Sequence, residues 1–145
     1  NKQPAKALAV SEQALAGDPN SFELRMLHGR ILRDDRKFAP AAQDFLRAAQ
    51  LKPTSVEAWN EVASALYLGE NYPGTLAALD RIVALGAEKP FGVYLRAITL
   101  DKLHQVKPAL ASYERFLSLS QGQSPDEEFK ARQRARILAK EIHKR

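Results

Sequence analysis

Residues 55–85 read SVEAWNEVASALYLGENYPGTLAALDRIVAL, and the fold turns on how this stretch is understood. Trp59, Val62, Ala63 and Leu66 recur at helical spacing, and Leu76, Leu79 and Val83 then do so again. The segment therefore reads as two amphipathic helices joined by a turn near Gly69. Outward from it, the same pattern returns with a period of 34 residues. Small residues stand at Gly29, Ala63 and Ala97, each followed by a leucine, at Leu32, Leu66 and Leu100. Ala7, Ala41, Thr75 and Ala109 share a second phase, and Phe38, Tyr72 and Val106 a third. Phe45, Leu79 and Tyr113 keep step too, as do Ala14, Ala48, Ile82 and Phe116. Columns held in register over that distance imply one two-helix unit used repeatedly.

The breakers fall between the apolar runs. Proline resists helix continuation and serine accepts from orphan amides. The runs Asp18 to Ser21 and Lys52 to Ser55 therefore each close one helix and cap the next. Gly69, Gly86 and Gly122 mark other turns, while Pro40, Pro73 and Pro108 lie near the starts of second helices, where a missing amide hydrogen costs little. Residues 5–17 form one more helix, matching the second helix of a unit whose first helix is absent. Ser124, Pro125, Asp126 and Glu127 predict a capping box, with the last helix beginning at Pro125. Its Ala131, Ala135, Leu138 and Ile142 make a narrow apolar stripe on an otherwise charged rod, as expected of a helix that seals a repeat array. The expected fold is all-α with about eight helices. It divides into a second helix of a partial repeat at 4–21, full repeats at 22–55 and 56–89, a degenerate one at 90–121, and a capping helix at 124–145.

Composition fits that picture. The 145 residues are 45% hydrophobic and 27% charged, the balance of a folded, soluble chain. There is no cysteine, which removes disulfides, thiol nucleophiles and cysteine-bearing zinc sites, and fits cytoplasm or periplasm equally. No window is apolar for long enough to span a membrane. The opening Asn-Lys-Gln-Pro is neither a signal peptide nor a methionine start, and reads as the interior of a longer precursor. Of the net charge of +5, over half lies in residues 125–145.

The repeated unit resembles the tetratricopeptide repeat. Trp59, Ala63 and Leu66 stand where that family has Trp, a small residue, and Tyr or Leu, and Gly29, Leu32, Ala41, Phe45, Ala48 and Pro53 match in the first full unit. The match covers residues 4–121. In the third unit Phe116 replaces a small residue and Gln121 a proline, which predicts altered packing against the terminal helix. The resemblance implies a right-handed α-α superhelix whose first helices line a concave groove for an extended peptide or a partner helix. By phase the groove positions are Glu23, Met26, Arg30 and Arg33, then Glu57, Asn60, Ser64 and Tyr67, then Phe91, Tyr94, Ile98 and Asp101. Arg30 and Arg33 are expected to fork onto a carboxylate, Asn60 to bond a peptide backbone, and Tyr67, Phe91 and Tyr94 to grip apolar side chains. Alanine at both Tyr67 and Tyr94 is expected to abolish capture and leave the fold intact. The five phases with which co-chaperones of this family clamp a C-terminal carboxylate hold Met26, Arg30, Glu61, Phe91 and Leu95 here, so binding of that kind is rejected. The ending at 128–138, EFKARQRARIL, resembles those of bacterial repeat proteins.

No enzyme is expected, and no cofactor or metal. His28 falls at a core-facing phase, His104 at a turn between helices and His143 near the end, so none pairs at a metal-ligand spacing. The alternative to a protein or peptide partner is nucleic acid or an anionic surface, met by Arg132, Arg134, Arg136, Lys140, Lys144 and Arg145. Those bases point around the helix and are diluted by acids, with Phe129 the single aromatic among them, which favours a solvated capping helix. A third expectation is self-association through Phe129 and Ile137, which lie off the main apolar stripe.

Overall fold

The computed structural model describes residues 2–144, which form eight helices and no strand. Asn1 and the last expected base, Arg145, lie outside the described residues. The helices are α1 (Lys2–Gly17), α2 (Phe22–Asp34), α3 (Phe38–Leu51), α4 (Val56–Leu68), α5 (Tyr72–Ala84), α6 (Pro90–Lys102), α7 (Val106–Ser120) and α8 (Pro125–His143). The chain divides between Leu85 and Gly86 into two compact units, α1–α5 and α6–α8.

The 34-residue period is visible in the backbone itself. Ser21 Oγ accepts from the Leu24 amide and Ser55 Oγ from the Ala58 amide, both at 3.2 Å, so the two serine caps form as their positions predict. At the other ends of α2, α4 and α6, the amides of Lys37, Asn71 and Gln105 donate back to the carbonyls of Leu32, Leu66 and Leu100 at 2.8–3.0 Å. Each closure needs one left-handed residue, and these are Arg36, Glu70 and His104, with φ of 62°, 62° and 59°. Gly69, expected to be the turn residue, keeps φ at −85° and leaves the strained position to Glu70. An L-residue there costs about 1–2 kcal/mol that glycine escapes, part of which glycine loses again through its freer unfolded chain. Glu70→Gly should therefore stabilise the first unit by about 0.5–1 kcal/mol, measured by urea denaturation. A loss of stability would show that the Glu70 side chain holds the turn.

In the first unit, Gly29 receives the ring of Phe45, whose Cε1 lies 2.7 Å from where a Cβ would stand. Phe45, Ala41 and Ala48 are fully buried, and Val62, Ala63, Leu79 and Ile82 nearly so. Val83, part of the apolar run in sequence, is 45% exposed. The loops before α2 and α4 are tied down in the same way: Arg25 Nε donates to the Pro19 carbonyl at 3.0 Å and Trp59 Nε1 to the Pro53 carbonyl at 2.9 Å. A buried charge that the periodicity did not suggest lies between α2 and α3. Asp44 accepts from Arg25 Nη1 at 3.1 Å and faces His28 Nδ1, while His28 Nε2 lies 3.7 Å from Glu12 of α1. His28 is thus packed among helices, in line with its phase.

In the second unit one degenerate position, Phe116, joins an aromatic cluster. Phe116 is buried, with the Tyr94 ring 4.9 Å away, and Tyr94 also meets Tyr113 at 6.4 Å. The expected capping box of α8 does not form. Ser124 makes no side-chain cap, and the carboxylate that reaches back is Glu128 rather than Glu127. Glu128 accepts from the amides of Gly122 and Ser124 and from Ser120 Oγ at 2.9–3.1 Å. The physical reason is Gln121, left-handed at φ 46°, which turns the loop so that its amides converge one position further along the helix.

Candidate peptide-binding surfaces

Each unit presents its own share of the predicted wall. In the first, the exposed side of α2 and α4 carries charge that is already matched. Arg30 pairs with Glu57 and Arg33 with Glu61, and Lys52 Nζ lies 3.4 Å from Glu23. The two arginines expected to fork onto a ligand carboxylate therefore hold carboxylates of α4, one of them, Glu57, supplied by a residue of the wall itself. Lys52 also sits over the Phe22 ring at 4.4 Å. Met26 is 2% exposed, a core residue that offers a ligand almost no surface, because a flexible unbranched side chain folds back into whatever gap lies beneath it. Asn60 is exposed, and Ser64 and Tyr67 are half-buried on the same side of α4. The Tyr67 ring stands 5.7 Å from that of Tyr72.

In the second unit, Phe91 is 67% exposed at the start of α6, the most open large apolar side chain among the described residues. Ile98 is half-buried. Tyr94 belongs to the aromatic cluster, and burial followed by the nearby Glu127 raises its hydroxyl above the ordinary tyrosine value. Alanine there would empty packed volume, so the expectation that removing Tyr67 and Tyr94 leaves melting intact is withdrawn. Asp101 is not a wall residue open to ligand. Arg134 grips both its oxygens at 2.8 Å and Tyr113 donates to it at 2.8 Å. Burial raises the Asp101 carboxyl, but these donors outweigh it and hold it below the usual carboxylate value. Tyr113 is pushed above its own, by burial first and then by Asp101.

The same contact bears on α8 as a basic surface. Arg134, counted among its bases, is committed to Asp101, and Arg132 lies near Glu128. Phe129 and Ile137 are 56% and 51% exposed, off the stripe formed by Ala131 and Leu138. Among the described residues no helix is long and apolar enough to cross a membrane, and no cluster of His, Asp or Glu is placed to hold a metal ion.

The helical repeat also produced a cavity that the sequence did not announce. A groove of about 550 Å³ lies where α3, α4 and α5 meet, lined by Ala42, Leu46, Trp59, Ala65 and Arg81 among others. At 3.6 residues per turn it opens on the side of α4 opposite Asn60, Ser64 and Tyr67. Its signal in sequence was the run of small residues on α3 and α5, which periodicity alone reads as core.

No family model matches the sequence, and no curated protein does. Solved structures are similar to it throughout. MamA superposes with a TM-score of 0.76 at 22% identity, over 99% of this chain and 81% of that one. YrrB, a TPR protein with an unusual peptide-binding site, gives 0.67 at 17% identity, over 88% and 63%. The first TPR domain of Spaghetti (RPAP3), bound to the HSP90 peptide SRMEEVD, gives 0.71 at 17% identity, over 84% and 93%. Together with the paired helices and the recurring turn geometry, these likenesses establish that the chain has the tetratricopeptide-repeat fold.

Proposed function

We infer that the chain is a protein-interaction scaffold, and that the A-type helices α2, α4 and α6 carry surfaces for an extended peptide or a partner helix. The fold supports the coarser part, since YrrB has a peptide-binding site and the RPAP3 domain holds a peptide. The finer part rests on one observation: Arg30 and Arg33, the basic side chains of the first wall, are neutralised by Glu57 and Glu61 of α4. An acidic tail would have to displace those carboxylates, exchanging one ion pair for another with no net gain. Recognition is assigned to the side of α4 bearing Asn60, able to bond a peptide backbone at both its oxygen and its nitrogen, with Ser64 and Tyr67 beside it. Phe91, and Ile98 more weakly, offer apolar contact on the second unit. The ligand that fits is an extended, uncharged segment with apolar anchors rather than an acidic C-terminus.

Selection from a random peptide library tests this. The enriched peptides should be poor in Asp and Glu, and Asn60→Ala should weaken capture by roughly tenfold, an effect of about 1.4 kcal/mol. Enrichment of acidic C-terminal peptides, or binding indifferent to that substitution, would defeat the reading.

A further inference from the structure

The groove between α3, α4 and α5 is open because of what this repeat lacks relative to the one before it. The preceding junction, of α1, α2 and α3, is filled by a polar cluster in which Asp44 holds Arg25 and His28, with Glu12 beside the His28 ring. One period later those four positions hold Ala78, Trp59, Val62 and Leu46. Leu8 and Ile31 likewise give way to Ala42 and Ala65. A carboxylate and two branched aliphatic side chains are thus replaced by methyl groups, which leaves about 550 Å³, within the range of small-molecule sites. Arg81 is the one charged residue on the wall. It is also the odd member of its column. Arg47 Nη2 donates to Asn20 Oδ1 at 2.7 Å, and in the second unit Arg115 pairs with Glu88. The position of Asn20 and Glu88 is taken by Thr54 in the middle repeat, and Arg81 lies instead over the Trp59 ring, 5.6 Å from its centroid. Among the described residues no hydrogen bond or ion pair holds its guanidinium.

We propose that this groove binds a small aliphatic carboxylate, with the carboxylate on Arg81 and the chain laid along α5 toward Gly74. A guanidinium whose fork is unoccupied takes a carboxylate through two parallel hydrogen bonds. Stacking on Trp59 holds Arg81 at one end of the groove, so little side-chain freedom is lost when the ligand arrives. Gly74 and Asn71 stand at the other end, about 10 Å away along the helix, a span that suits a medium-length alkyl chain. Between the two ends the wall is built of Ala42, Val62, Ala65 and Ala78, which offer an alkyl chain contact and no competing charge. A cationic ligand would meet Arg81 and find no acid on the wall to pair with. The site lies on the side of α4 opposite Asn60, Ser64 and Tyr67, and stands independently of the peptide surface assigned there.

Trp59, the single tryptophan, belongs to the wall, so its own fluorescence reports binding to the full 145-residue chain. The probe is octanoate, compared with 1-octanol, which carries a similar chain without the charge. Octanoate should change the fluorescence saturably and bind roughly tenfold tighter than octanol. Arg81→Gln should bring octanoate down to the affinity of octanol. Ala77→Phe, at an exposed position of the wall, should put a ring into the groove and weaken both ligands by roughly tenfold or more. Octanoate should also raise the melting temperature of the wild type and leave that of Ala77→Phe where it was. The absence of saturable binding, equal affinity for octanoate and octanol, or a fall in melting temperature would overturn the proposal. So would a preference for octanoate that survives Arg81→Gln, or binding that survives Ala77→Phe. Displacement of octanoate by a library-selected peptide would overturn it too, because the groove would then belong to a protein partner.

Discussion

Phe45→Ala should lower the stability of the first unit by about 3–5 kcal/mol, the range for deleting a fully buried aromatic ring. A domain is stable by only about 5–15 kcal/mol, so this is a large part of what the unit has. Phe45 has no exposed surface, and it fits against a glycine because nothing larger leaves room for the ring. The pair should behave as one device. Gly29→Ala in the wild type forces a Cβ against the ring and destabilises. In the Phe45→Ala background the same change meets no ring and gains the helix propensity of alanine, about 1 kcal/mol. The chain has a single tryptophan, Trp59 in α4, so urea denaturation followed by its fluorescence reports the first unit directly. Additive effects of the two substitutions would show that the glycine is not there for the ring.

The second large effect is expected at Asp101. Asp101→Ala strips Arg134 of a bidentate partner and leaves the buried Tyr113 hydroxyl without its acceptor. Arg134 is 42% exposed and can turn to water, so the cost is about 2–3 kcal/mol rather than that of a fully buried pair. Asp101→Asn, which still accepts from Tyr113, should lose less. The same contact sets an acid limit. With its folded pKa depressed, Asp101 stabilises above the ordinary carboxylate pKa, and that contribution disappears as pH falls through the folded value. Glu128 is lowered too, first by the Gly122 amide, so it acts in the same direction. Tyrosine absorbance, to which the second unit contributes Tyr94 and Tyr113, two of the four tyrosines, should report loosening on acidification that is weaker in Asp101→Asn. An identical acid transition in that variant would remove Asp101 from the account.

The repeat was readable because its determinants are local and periodic. Ser21 and Ser55 cap as their spacing requires, and the column of Gly29, Ala63 and Ala97 marks where helices approach closely. Even so, the left-handed turn fell on Arg36, Glu70 and His104, which no composition rule favours, since the hydrogen bonds of the helix end dictate that conformation. The candidate wall was less legible. Phase gives a direction to Arg30 of α2 and Glu57 of α4, but whether Arg30 awaits a ligand or holds Glu57 depends on where two long side chains end. Those residues are 27 positions apart in the chain. Asp101 has the phase of a wall residue, and Arg134, 33 residues later, removes it. Tyr94 has the phase of a contact residue, but periodicity gives direction without depth, and Phe116 in place of a small residue packs against its ring.

The central claim is that recognition by the first unit uses the side of α4 bearing Asn60, Ser64 and Tyr67. Amide shift mapping of the isotope-labelled chain with a library-selected peptide tests it most directly. The account predicts that the perturbed amides of the first unit centre on Asn60, Ser64 and Tyr67. Perturbations gathered instead around Leu46, Trp59 and Arg81, in the groove on the opposite side of α4, would contradict it.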